Sequence, residues 1–184
     1  MGLFLCQPQS QKIILSTIPS YSIVADSSEA TGLKWAAASG GGKVLQVVQV
    51  TYDTSTTIAS ESFTDTGLTA TITPTLSTSK ILVQYLQTGK ANRSGNQLGV
   101  AQKLLRGSTD IYNTAGSGFT WFLNNDPIEV YSQYAGLYLD SPATTSATTY
   151  KTQAKCQAST VPNASITYQI SGATSVMILM EIGV

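Results

Sequence analysis

The chain has no histidine, and with it goes the side chain that most often serves as general base and metal ligand near neutral pH. Charge is scarce too. Asp, Glu, Lys and Arg make up 11% of the 184 residues, against about a quarter in ordinary soluble domains. Ten basic and ten acidic residues cancel, so no net field attracts nucleic acid or an anionic membrane, and neither is expected as a partner. The two cysteines, Cys6 and Cys156, match no metal-ligand spacing and no CxxC redox motif; they read as free thiols. No apolar run approaches the roughly 18 residues of a membrane span. The opening MGLFLCQ lacks the basic n-region, the long apolar stretch and the small residue before Cys6 of a lipoprotein signal. Cys6 also stands where a myristoylation signal needs Ser or Thr. The sequons at Asn92 and Asn163 are what so Ser-rich a chain produces by chance.

What the chain has instead is Ser and Thr, roughly a quarter of all residues, set among Val, Ile and Tyr in short runs of period two. Ser and Thr tolerate pleated surfaces and bond locally, so such a sequence suits strands whose outer faces are polar but uncharged. The length fits one hydrophobic core with an arm, and is short for two ordinary domains.

Residues 1–43 form that arm and hinge. Pro8 and Pro19 interrupt it, residues 12–18 offer one short strand, and Ser39-Gly40-Gly41-Gly42 closes it flexibly. Its apolar side chains, with Phe4, Ile13, Leu15 and Trp35 as anchors, cannot build a core alone and must bury against a partner or a neighbouring subunit. Residues 44–184 read as a β knob. Strands are expected over 44–52, 56–63, 68–73, 80–87, 97–106, 129–139, 148–157, 166–170 and 175–184, with turns at Asp65-Thr66-Gly67 and over 90–96. Alternation places Val44, Val48, Ile81, Val83, Leu104, Ile178 and Met180 inward. The result is an all-β antiparallel sandwich or barrel. The last strand is apolar without alternation from Val176 to Met180, so coverage on both faces is expected. Val176, Ile178 and Met180 then belong either to the core or to a subunit interface.

Chemistry is thin. Ala38-Ser39-Gly40-Gly41-Gly42-Lys43 departs from a phosphate loop at Ala37 and Val44, and reads as a hinge. Asp110, Asp126, Glu129 and Asp140 are the carboxylates that glycoside hydrolysis would need as a pair, and nothing in their spacing pairs them. Asn124-Asn125-Asp126 could offer oxygen ligands to calcium but lies in no EF-hand loop, and reads as a turn. Phe119, Trp121 and Phe122 before that turn, with Tyr131, Tyr134 and Tyr138 after it, could form a contact platform or pack in the core. No catalytic residue, metal site or cofactor is expected.

Two stretches carry a resemblance. ADSSEATGLKWAA, residues 25–37, resembles a linker in virion proteins of tailed bacteriophages. KVLQVVQV, SFTDTGLTATITPTLSTSKILVQ, LLRGSTDIY and LDSPATTSATTYK resemble a β-domain of phage and marine-virus structural proteins, particularly fibre-like and head-decorating ones. The resemblance spans most of residues 25–155. It implies a virion surface protein made in the bacterial host cytoplasm, a homotrimer with an N-terminal anchor and a β-sandwich of jelly-roll type. The anchor would hold the phage major capsid protein or another virion protein. Long shafts are usual in tail fibres, and this arm is short, which favours a capsid decoration or cement protein. A short tail-fibre tip, with residues 89–96 and 112–125 facing a host surface glycan or protein, is the alternative.

Overall fold

The computed structural model describes residues 21–25, 28, 30, 31, 33–37, 42–94, 98–114, 120–122, 127–157 and 164–183. The chain divides into two units, Met1–Gly41 and Gly42–Val184. In the first, β1 (Tyr21–Ala25) and β2 (Leu33–Ala37) form an antiparallel hairpin whose backbone register pairs Ile23 with Trp35. Phe4, Ile13, Leu15 and the strand expected over 12–18 lie outside the described residues.

The second unit holds β3 (Lys43–Tyr52), β4 (Thr56–Ile58), β5 (Thr64–Ile72), β6 (Lys80–Arg93), β7 (Leu98–Arg106) and β8 (Thr109–Asn113). It continues with β9 (Thr120–Phe122), β10 (Ile128–Asp140), β11 (Thr148–Gln157), β12 (Ala164–Tyr168), a 3-10 turn over Ile170–Gly172 and β13 (Ser175–Gly183). One sheet runs β3-β13-β6-β10, with β12 and β4 continuing beside the far half of β6; the other runs β5-β11-β7-β8, with β9 also on β7. Every pairing is antiparallel. The chain crosses between sheets at each step from β4 to β7 and again from β9 to β12, which brings the first and last long strands together in one sheet. That strand order is a jelly roll, two interleaved Greek keys closed as a sandwich.

Inward side chains fill the space between the sheets in two apolar clusters. One gathers Ile58, Leu98, Val100, Tyr134, Cys156, Ile166 and Tyr168; the other gathers Leu68, Ile72, Ile81, Val83, Tyr85, Leu104, Tyr150, Met177 and Leu179. Beside them lies a fully buried polar ring. Gln87 donates from Nε2 to Thr66 Oγ1 at 3.0 Å, and Thr66 and Thr152 share a 2.6 Å hydroxyl bond. Thr152 donates to Gln87 Oε1 at 2.8 Å, where Gln102 Nε2 also donates at 2.8 Å. The closed cycle of Gln87, Thr66 and Thr152, with Gln102 donating into it, ties both sheets to one register.

The structure corrects several sequence readings. Met177 and Leu179, not Ile178 and Met180, point inward, because the last strand alternates like its neighbours. Val44 is 55% exposed: a register shift between Glu181 and Ile182 places one extra β3 residue there and breaks the alternation. Val48 packs partly buried against the core, and Ile81, Val83 and Leu104 are fully buried. Asp65-Thr66-Gly67 is no turn but part of β5, opposite a register shift at Lys151 and Gln153. Gly67 adopts a φ of 89° there, and a Cβ would strike the Tyr52 ring. Residues 90–93 belong to β6 because β10 and β12 pair with it on both sides. The strand expected over 56–63 ends at Ile58.

Candidate interaction surface

The outward positions of β3, β13, β6 and β10 align in three cross-strand rows. Val47, Met180, Leu82 and Leu139 form the first; Gln49, Ile178, Gln84 and Leu137 the second; Thr51, Val176, Leu86 and Ala135 the third. Nine of these twelve residues are apolar and none is charged. Val47 is 57% exposed, Leu137 63% and Leu139 49%. A strand normally turns such a face to solvent only when it is polar. Covering each of these side chains would stabilise a complex by about 1–2 kcal/mol.

A shallow groove of about 420 Å³ runs along the middle of the block, walled by Leu86, Ala135, Leu137, Val176 and Ile178. Gly136 also lines it, and on its core side a Cβ would run into the Tyr85 ring. Val176, Ile178 and Met180 therefore share one outward face and are half exposed. Their partners Val47, Leu82, Leu86, Leu137 and Leu139 were not singled out from the sequence. The signal that could have found them is the run of apolar residues at both parities in each of these four strands, read jointly.

The remaining candidates do not converge on chemistry. Asp110 pairs with Lys103 at 2.8 Å and Glu129 with Lys90 at 2.8 Å. Asp140 is buried, accepts two 2.9 Å bonds from Arg106 Nη1 and a 2.7 Å bond from the Tyr150 hydroxyl. Burial first, then that carboxylate, push the Tyr150 phenol far above its ordinary range. Asp126, Asn124, Asn125 and Phe119 lie outside the described residues; Trp121 and Phe122 are in β9. Tyr134 is buried edge-on to Tyr168, centroids 5.5 Å apart, Tyr138 leans on Tyr112, and Tyr131 is 63% exposed. The Cys156 thiol is buried, donates to the Ile58 carbonyl, and burial pushes it up to about 11. Among the described residues no group of three His, Cys, Asp or Glu could hold a metal ion.

No protein-family model and no curated protein matches the chain. Solved viral structures do. VP2 of infectious bursal disease virus in derived T=1 particles is 12% identical over 86% of this chain and 40% of its own, with a TM-score of 0.31. The structure of the Gx strain of that virus is 11% identical over 84% and 42%, at 0.35. The VP2 subviral particle is 12% identical over 87% and 43%, at 0.32. The chain thus spans less than half the length of these matches. The jelly-roll assignment rests on the strand order, not on this likeness.

Proposed function

We propose that the chain is a non-enzymatic structural protein of a tailed-phage virion, a homotrimeric decoration or cement protein on the capsid exterior. The knob associates with itself, and residues 1–43 attach it to the major capsid protein or another virion protein. One observation carries this reading: a twelve-position block of sheet surface with no charge and nine apolar side chains, which is a surface built for protein contact. Asp110, Glu129 and Asp140, three of the four carboxylates that hydrolysis would use, are committed to Lys103, Lys90, Arg106 and Tyr150, which supports the non-enzymatic part. The sequence resemblance supplies the virion.

A short tail-fibre tip that binds host glycan is the second reading, favoured by the exposed Tyr131 ring on the strand that carries Glu129. Counting copies per particle separates the two, since hundreds mean capsid and about a dozen mean tail. Cutting the chain within residues 40–42 tests the division of labour. The freed knob should remain a trimer by light scattering and should no longer sediment with virions; a monomer, or undiminished attachment, overturns it.

A further inference from the structure

Unpaired sheet edges template further pairing, and proteins blunt them with charge, proline, bulges or shortness. The second sheet does so at both edges. Edge strand β5 carries Asp65 and the Gly67 irregularity, and β8 is five residues long with Asp110 and a register shift. The first sheet does not. β10 keeps one unbroken register with β6 over thirteen residues, and from Val130 to Leu139 it holds no charge and no proline. β3, beyond its bulge, is regular and uncharged from Gln46 to Tyr52. Among the described residues β10 pairs only with β6, and β3 only with β13.

Polarity says how such edges can be satisfied together. Successive strands in β3-β13-β6-β10 are antiparallel, so the two edge strands run in opposite directions. A second copy brought alongside by rotation about an axis parallel to the strands therefore sets its β3 antiparallel to this β10. Three such steps close a ring, and turning the apolar blocks towards the axis covers them. A twofold would join β10 to β10 and leave both β3 edges bare. Both edges are uncharged, so no like charges meet at the seam. Four strands about 4.8 Å apart and seven residues about 3.3 Å apart give a face of roughly 19 by 23 Å in plan. With side-chain relief and two seams, that is of the order of the roughly 800 Å² per partner that stable complexes bury.

We infer that β10 of one copy pairs with β3 of the next copy of this chain, joining three first sheets into a closed ring around the apolar block. The inference rests on the trimer reading above and deepens it. The test uses the full chain with Cys6→Ser, Cys156 being buried. Ala135→Cys or Leu137→Cys is combined with each of Val47→Cys, Gln49→Cys and Thr51→Cys, and the six double variants are oxidised mildly. At least one should give a covalent ladder that stops at three chains, while single-cysteine variants stay uncrosslinked. Trimers by light scattering with no crosslink in any of the six would overturn the seam and leave the trimer standing. Dimers from a lone β10 cysteine would replace the seam with a twofold. A monomeric parent protein would sink both.

Discussion

The two outer faces of the sandwich are made by the same alternation of strand residues, yet they carry opposite chemistry. Outward from the second sheet stand Lys103, Lys151 and Lys155, with Asp65 and Asp110 between them. Lys151 reaches Asp65 at 3.0 Å, and Lys103 and Lys155 flank the Phe63 ring at 4.6 and 5.1 Å. Their aliphatic stems cover apolar surface while the ammonium groups stay in water. Leu105 and Ala101 on that sheet are accordingly buried. Among the described residues the first sheet shows no such cover: Leu137, Leu139 and Val47 are exposed. One face is finished as a surface; the other is left apolar, and the proposed trimer would cover it. Edge protection follows the same division, which is why face and edges are read as parts of one interface.

Charge placed on the unfinished face should break the comparison most. Leu137→Lys with Ile178→Lys puts six ammonium groups into a trimer's centre, and the expected product is a folded monomer by light scattering. Its melting temperature should fall and no longer depend on protein concentration, because the association that stabilises the folded chain is lost. The control is Lys151→Ala with Lys155→Ala on the other sheet, which should leave the trimer intact. Trimers surviving the first variant would show that the apolar block is not the interface.

Much of the fold was legible because period-two runs place a strand's core face without knowledge of its neighbours. Ile81, Val83 and Leu104 were readable that way, and all are buried. Parity failed where a bulge intervened, at Val44, and where both parities were apolar, at residues 176–180. There only the pairing partners decide. Met177 and Leu179 face Val50 and Val48 in the core, while Ile178 faces Gln49 outside. Of the apolar outer face only Val176, Ile178 and Met180 were singled out, and those stood between core and interface; its other members come from β3, β6 and β10, which a linear reading does not bring together. The buried ring of Gln87, Gln102, Thr66 and Thr152 was hidden for the same reason. Each is an ordinary polar residue until the two sheets are stacked.

That ring is the inner counterpart of the comparison, polar where the outer face is apolar. Gln87→Ala removes one donor and the acceptor of two bonds, leaving Thr152 and Gln102 with buried unanswered donors. The expected loss is about 2–4 kcal/mol in denaturant unfolding, because stranded buried groups cost about 1–3 kcal/mol each. The trimer should persist at low temperature. A loss below 1 kcal/mol would mean that water enters and answers those groups.

The effect expected to depend most on pH belongs to Glu181, the inward neighbour of Met180 on β13. Burial by itself would raise its carboxyl, but hydrogen bonds from Gln46 and Thr75 hold it down to about 2. Gln46 Nε2 lies 2.6 Å from one oxygen, and the Thr75 amide and hydroxyl each lie 2.8 Å from the other, so the carboxylate pins the loop between β5 and β6. A depressed acid stabilises the fold above its unfolded value, near 4.3 for Glu, and loses that contribution as pH falls through the folded value. Stability should therefore decline between about pH 5 and pH 2. Glu181→Gln keeps an amide oxygen for the Thr75 donors but sets its NH2 against Gln46 Nε2, so it should cost stability at pH 7 and little at pH 2. Its curve of stability against pH should be flatter across that window. A variant that loses stability with acid as steeply as the parent would assign the acid sensitivity to other carboxylates, Asp65 with its Lys151 and Gln153 bonds first among them.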